Sequence, residues 1–202
     1  MPTRHPTKAT LISTVVSMMD EMAYDAIRSE DVLERSGVSK GSLYHHFEDF
    51  SDLLSAALVF RFSQEVDFQI DFYLKTLASA RSEEELFQGI ASVNEATQKI
   101  ESKGIRLERA RVLALSESNP TLAKELAEVQ DRLTDAVTDL ITESINRGFV
   151  RPDIDPRSLA IFFQAFSLGR VVDDIAGVKV DHEEYMKLLN SVLRSSFGVT
   201  RP

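Results

Sequence analysis

The chain has 202 residues, 43% of them hydrophobic, and a formal net charge of −9. That is enough apolar material for a core, and the wrong sign for a nonspecific coat on nucleic acid, which would be basic. Cysteine is absent, which excludes disulfides, thiolate metal sites and cysteine nucleophiles and is compatible with a reducing, cytoplasmic setting.

Uninterrupted apolar runs reach only about five residues, far short of the roughly 18 that suggest a membrane span. The 8 Gly and 6 Pro stand mostly where helices should begin or end, so an all-α protein of about nine helices is expected. Arg4 and Lys8 ahead of Leu11–Val16 superficially imitate a signal peptide. No small-x-small cleavage pattern follows, and Ile12, Val15, Val16 and Met19 recur at helical spacing, so the stretch reads as a first helix.

Residues 29 to 47 read as two short helices joined at Gly37. Ser29 is placed to cap the first of them, Glu30 and Asp31 suit the positive end of its dipole, and Val32, Leu33 and Ser36 supply an inward face. Gly37 can take the left-handed conformation that stops a helix, and Ser39 can start the next. On the second helix Leu43 and Phe47 share one face, so Gly41, Ser42, Tyr44 and His45 point away. That outward set is small, polar or aromatic, with Lys40 at the helix entry; it suits contact with phosphates and base edges in a groove. His45 and His46 are about 100° apart around the helix and cannot chelate one ion, so no metal is expected.

The run Gly37-Val38-Ser39-Lys40-Gly41-Ser42-Leu43-Tyr44-His45-His46-Phe47 closely resembles the recognition segment of the TetR family of bacterial transcriptional regulators. The likeness extends back through the first helix to Ala23-Tyr24-Asp25 and forward to Asp52-Leu53-Leu54, about a quarter of the chain. It implies a helix-turn-helix DNA-binding domain over 1–50 and a helical ligand-binding and dimerisation domain over 51–202. It also implies a homodimer on double-stranded operator DNA, a small-molecule effector and no cofactor. DNA contacts are expected from Arg28, Ser29, Ser39, Lys40, Gly41, Ser42, Tyr44, His45 and His46. Two positions depart from the family pattern: Phe50 stands where a phosphate-holding lysine is common, and Arg28-Ser29 replaces the usual Thr-Thr, which lets Arg28 compensate. Residues 1 to 47 hold five Lys or Arg against six acids, so Arg4, Lys8, Arg28 and Lys40 must be segregated toward DNA.

A long fourth helix follows, capped by Ser51 and carrying Leu54, Leu58, Phe62, Val66, Ile70 and Leu77. Ser82 with Glu85 makes a capping box for a fifth, which carries Leu86, Ile90, Val93, Thr97 and Ile100. Gly104 precedes a sixth. Asn119-Pro120 starts the clearest amphipathic helix, Leu122, Leu126, Val129, Leu133, Val137, Leu140 and Ile141 running to Gly148. Asp155-Pro156 starts an eighth through Ile175 that is apolar on most sides. Asp181 with Glu184 starts the last, with Tyr185, Leu188, Leu189, Val192, Leu193 and Phe197 inward and Gly198 at its end.

Cavity walls are expected from Phe68, Phe72, Phe87, Val93, Val112, Leu113, Phe162 and Phe166, and polar contacts from Asn94, Gln98, Arg109 and Gln164. The resemblance makes the last two long helices the dimer interface, for which Phe163, Phe166, Arg170, Leu189, Val192 and Leu193 are the candidates. Paired Glu-x-x-His motifs, a phosphate loop and a serine nucleophile elbow are all missing from the sequence, so no catalysis is expected. Alternatives are the same DNA-binding head in an activator or partner-regulated protein, and more remotely a helical module without DNA binding.

Overall fold

A computed structural model describes residues 6–196; Arg4, Phe197 and Gly198, which carry expectations above, lie outside the described residues. The chain is all-α: α1 (Pro6–Glu21), α2 (Ser29–Ser36), α3 (Lys40–His46), α4 (Phe50–Ser79), α5 (Glu83–Gln98), α6 (Lys103–Leu115), α7 (Pro120–Asn146), α8 (Pro156–Gly169), α9 (Val171–Ile175) and α10 (His182–Ser196). Among the described residues there is no strand, and no helix is long and apolar enough to cross a membrane.

Two hydrophobic clusters share α4. Leu11, Ile12, Val15 and Met18 of α1 close on Val32, Leu43 and Phe47, with Leu53 and Ala57 from the first turns of α4. The larger cluster takes Leu58, Phe62, Val66 and Leu77 from the rest of α4, and the whole predicted stripe of α7. Ala57 and Leu58 are neighbours in different clusters, so the 30-residue helix, about 45 Å long, is a common strut for both. Gly89 of α5 lets that helix approach α4: a Cβ there would fall 2.3 Å from Cγ2 of the buried Thr76.

Several caps match the sequence. Ser82, Asn119, Asp155 and Asp181 each accept a hydrogen bond from the backbone N–H three residues on, and Pro120 and Pro156 occupy first turns, where proline's missing N–H costs nothing. Other starts differ. Arg28, not Ser29, holds the N-cap position of α2, without a side-chain cap. Asp49 rather than Ser51 caps α4, accepting from Asp52 N at 2.8 Å while Asp52 accepts from Glu48 N at 3.2 Å. Gly104 lies inside α6. α5 ends at Gln98, and a 3₁₀ turn carries Ile100 into solvent.

The expected eighth helix breaks at Arg170 into α8 and α9. There Arg106 of α6 reaches Asp174 of α9 through two 2.7 Å bonds and also donates to Thr97 O and Lys99 O. Lys179 closes the other end of α9 by donating to the carbonyls of Asp173, Asp174 and Ala176. α9 is therefore fastened to α6, and the chain turns to reach it.

Candidate functional site

The reading head is built from local signals. Gly37 sits at φ 66°, its N–H bonding Leu33 O, and the Ser36 hydroxyl accepts from Val38 N at 3.2 Å. Ser39 Oγ accepts from Ser42 N at 3.2 Å and starts α3. Leu43 is fully buried and Phe47 nearly so, while Tyr44 is 46% exposed and Gly41 and His45 face solvent. His46 is half-buried, its ring edge-on to His45 at 5.0 Å.

Around this helix the cations are partly engaged. Lys8 lies 5.0 Å over the Phe47 ring, and Arg28 donates to Asp25 O. Ser29 is half-buried and Lys40 exposed. Phe50, in the position where a family lysine is common, packs against the head's own cluster. The front of α3 is thus a narrow polar and aromatic strip on a rigid backing, which defines the head as a helix-turn-helix DNA-binding unit.

Gly41 carries a useful signal, because a Cβ there would meet nothing within 4 Å. Nothing inside the chain requires glycine at that helical position, where alanine is better by about 0.8–1.0 kcal/mol. Gly41→Ala is therefore expected to raise thermal stability while weakening operator binding, and Tyr44→Ala to weaken binding by about 1–3 kcal/mol at unchanged stability. Melting curves beside DNA titrations check both; a Gly41→Ala protein that binds the operator as well as its parent removes close backbone approach as the reason for the glycine.

The second candidate site is a cavity of about 580 Å³ among α4, α5, α6 and α8. It adjoins a tighter inner chamber of about 60 Å³, the two meeting at Gln69, Thr97, Arg109 and Ser167. Of the expected wall residues, Phe68, Phe72 and Val93 line the larger space, Asn94 and Gln164 the inner one, and Arg109 both. The others lie elsewhere. Phe87 and Val112 are buried in the core, Phe87 beneath the Arg194 guanidinium, and Leu113 is half-buried away from the cavity. Gln98 is buried and donates to Ser167 O at 3.4 Å, Phe162 points to solvent, and Phe166 stacks on Tyr185. Glu65, Gln69, Tyr73 and Ser167, which line the cavity, escaped the sequence reading because each only borders a stripe and none carries a local motif.

Burial governs the cavity's electrostatics. It pushes the Glu65 carboxyl above its usual range, the Glu108 charge adding to this while Arg109 and Arg61 oppose it. It also pulls the Arg109 guanidinium below its ordinary value, against the opposing influence of Glu65 and Tyr73. Next to Arg109 on α6, Glu108 takes Arg61 Nε at 2.9 Å, and Arg61 Nη1 reaches Asp20 of α1 at 2.8 Å. A chain of charge thus runs from the cavity wall through α4 to the head.

The dimer candidates divide. Arg170, Leu189 and Leu193 are buried within their own subunit, and Phe163 and Phe166 pack against its core, Phe163 also lining the inner chamber. Val192 is exposed, joined on the outside of α8 and α10 by Ile161, and by Phe162 and Leu188, which the sequence reading had placed on a cavity wall and inward. The reason is steric: α10 buries the Met186, Leu189 and Leu193 side against α5 and α7, which turns Leu188 and Val192 outward.

Comparison with known proteins agrees with this anatomy. Residues 11–57 match the family described as bacterial regulatory proteins, tetR family. A solved structure assigned to TetR-family transcriptional regulators, from Mesorhizobium loti, superposes with a TM-score of 0.71 at 17% identity, covering 96% of this chain and 97% of that one. A transcriptional regulator from Saccharomonospora viridis in complex with choline gives 0.66 at 18% identity, with 95% and 98% covered. The ketosteroid regulator KstR2 of Mycobacterium tuberculosis gives 0.54 at 17%, with 97% of both chains covered. No curated protein sequence matches the chain. The head, over residues 11–57, thus matches the tetR family of bacterial regulatory proteins, and the all-α fold as a whole is shared with solved structures of such regulators.

Proposed function

We propose that the chain is a homodimeric repressor whose two α3 helices enter successive major grooves of a palindromic operator, and that a small molecule in the α4–α5–α6–α8 cavity releases it. Residues 1–50 read the DNA and 51–202 bind the effector and the second subunit, with α4 common to both tasks. Arg28, Ser29, Ser39 and Lys40 hold phosphates, and Gly41, Ser42, Tyr44, His45 and His46 form the groove face. A two-fold dimer of this head suits half-sites about 34–36 Å apart.

The observation that carries the switch is Arg61. Its guanidinium joins Asp20 of the head to Glu108, the immediate neighbour of Arg109 on α6, so a ligand that shifts α6 pulls on α1 as well as on α4. The cavity itself favours this reading over a partner-regulated one, whose core would be filled. Turning 99% occupancy into 1% needs a ligand preference of about 10⁴-fold, near 5.5 kcal/mol.

Genomic footprinting supplies the operator, and its affinity is then measured with and without candidate metabolites. Arg61→Met is expected to keep operator affinity within about threefold but to blunt ligand-induced release by roughly 3- to 30-fold, since two exposed or half-exposed ion pairs are worth up to about 1 kcal/mol each. A ligand that occupies the cavity and leaves operator affinity of the parent protein unchanged would refute the switch.

A further inference from the structure

The most deeply buried arginines of this chain hold a carboxylate. Arg106 takes Asp174 at 2.7 Å and Arg170 takes Asp173 at 3.3 Å. Arg109 is different. It is half-buried, borders both chambers of the cavity and lies with its guanidinium 5.2 Å from the centroid of the Phe62 ring. Among the described residues no carboxylate stands within ion-pair distance of it, and it makes no hydrogen bond; Glu65 and Tyr73 act on it only through space. Its five N–H donors therefore stand at a cavity whose other walls include Phe68, Phe72, Val93 and Leu168.

A desolvated guanidinium gains most from a group that accepts two parallel N–H bonds, as a carboxylate does. Glu65 is the competing charge. Burial and the nearby Glu108 charge disfavour its ionised form, while Arg109 and Arg61 oppose them. The repulsion that Glu65 offers a guest anion is weakened by this, and Arg109 is left as the attractive charge on the wall.

We propose that the effector is an apolar molecule bearing one carboxylate, seated with the carboxylate on Arg109 and its apolar body against Phe68, Phe72 and Val93. This rests on the ligand-released reading above and names the chemistry of that site. A space of about 580 Å³ admits an aliphatic or aromatic body of ordinary small-molecule size.

Calorimetric titration of the full chain tests it with decanoate and 2-naphthoate, their primary amides, and decyltrimethylammonium. The acids are expected to bind at least tenfold more tightly than the amides or the ammonium ion. Arg109→Met should weaken the acids by at least 30-fold and leave the amides within threefold, while Glu65→Gln, which removes the like charge, should tighten the acids severalfold. If Arg109→Met does not fold, Arg109→Lys with Glu65→Gln carries the comparison, with the lysine expected to retain only part of the preference for acids. Amides or ammonium binding as well as the acids, acid affinity unmoved by Arg109→Met, weaker acid binding in Glu65→Gln, or no measurable acid binding would each overturn the proposal. Operator titrations separate it from the parent reading. Acid bound through Arg109 without change in DNA affinity leaves the site standing and removes the switch; release by ligands that ignore Arg109 does the reverse.

Discussion

Asp174→Ala is expected to lower folding stability by about 3–5 kcal/mol, the usual cost of removing one partner from a buried ion pair. Both members of the Arg106–Asp174 pair are 7% exposed at the side chain, and both bonds are 2.7 Å, so the loss strands a guanidinium that water cannot reach well. Arg106 keeps its bonds to Thr97 O and Lys99 O, which hold it in place without neutralising it. The pair also joins α6 to α9, and Arg106 lines the larger cavity, so ligand affinity should fall with stability. Arg106→Met with Asp174→Leu should recover much of the loss, since an apolar pair needs no compensation; recovery stays incomplete because two carbonyls lose a donor.

The pH dependence of that deficit follows from the direction of the Asp174 shift. Hydrogen bonds from Arg106 hold the carboxyl below its usual range, so the pair contributes fully above the unfolded value of about 3.9 and is lost as pH falls through the lower folded value. Denaturant melts at pH 7 and pH 3 check this. A gap between parent and variant that is as wide at pH 3 as at pH 7 would show that the carboxylate charge is not what stabilises the junction.

The second large effect is expected at the outer side of α8 and α10. Phe162 is 48% exposed and Leu188 64%, beside Ile161 and Val192, on two helices that touch through the Phe166–Tyr185 stack. If this side meets its copy across a two-fold axis, Phe162→Glu buries a carboxylate twice per dimer. At about 2 kcal/mol for each hot-spot position, dimerisation weakens by about 4 kcal/mol, on the order of 10³-fold. Sedimentation velocity at micromolar concentration should then find mostly monomer, and operator affinity should collapse because one head alone makes half the contacts. Ile100→Glu, at a residue still more exposed but on the turn after α5, should change neither. A Phe162→Glu protein that sediments as the parent does would remove this surface from the interface.

What could be read from the sequence was whatever is decided within one turn or one helix. Gly37 at positive φ, the Ser39 cap and the Leu43–Phe47 spacing fix α3 and its outward Tyr44 without help from elsewhere. The Asn119-Pro120 start and the seven-residue apolar stripe of α7 likewise announce a helix and its buried face. The Ser51 cap and the Gly104 start went wrong by a residue or two because several polar or small residues compete at each helix end, and only the backbone chooses among them.

Contacts between distant residues were settled by the tertiary structure. α8 is apolar on most of its circumference, so periodicity could not tell the side against α7 from the side left open, and Phe162 and Phe163 exchanged roles accordingly. The break at Arg170 follows from where α6 stands, since Arg106 and Asp174 are 68 residues apart. The sequence by itself determined a helix-turn-helix head with an outward polar and aromatic strip on an all-α frame, because caps, turns and spacing act over a few residues. Which residues share the cavity wall with Arg109, which arginine ties α6 to the head and which apolar side stays uncovered became visible only when the helices were packed, because burial and charge pairing depend on neighbours that come from other parts of the chain.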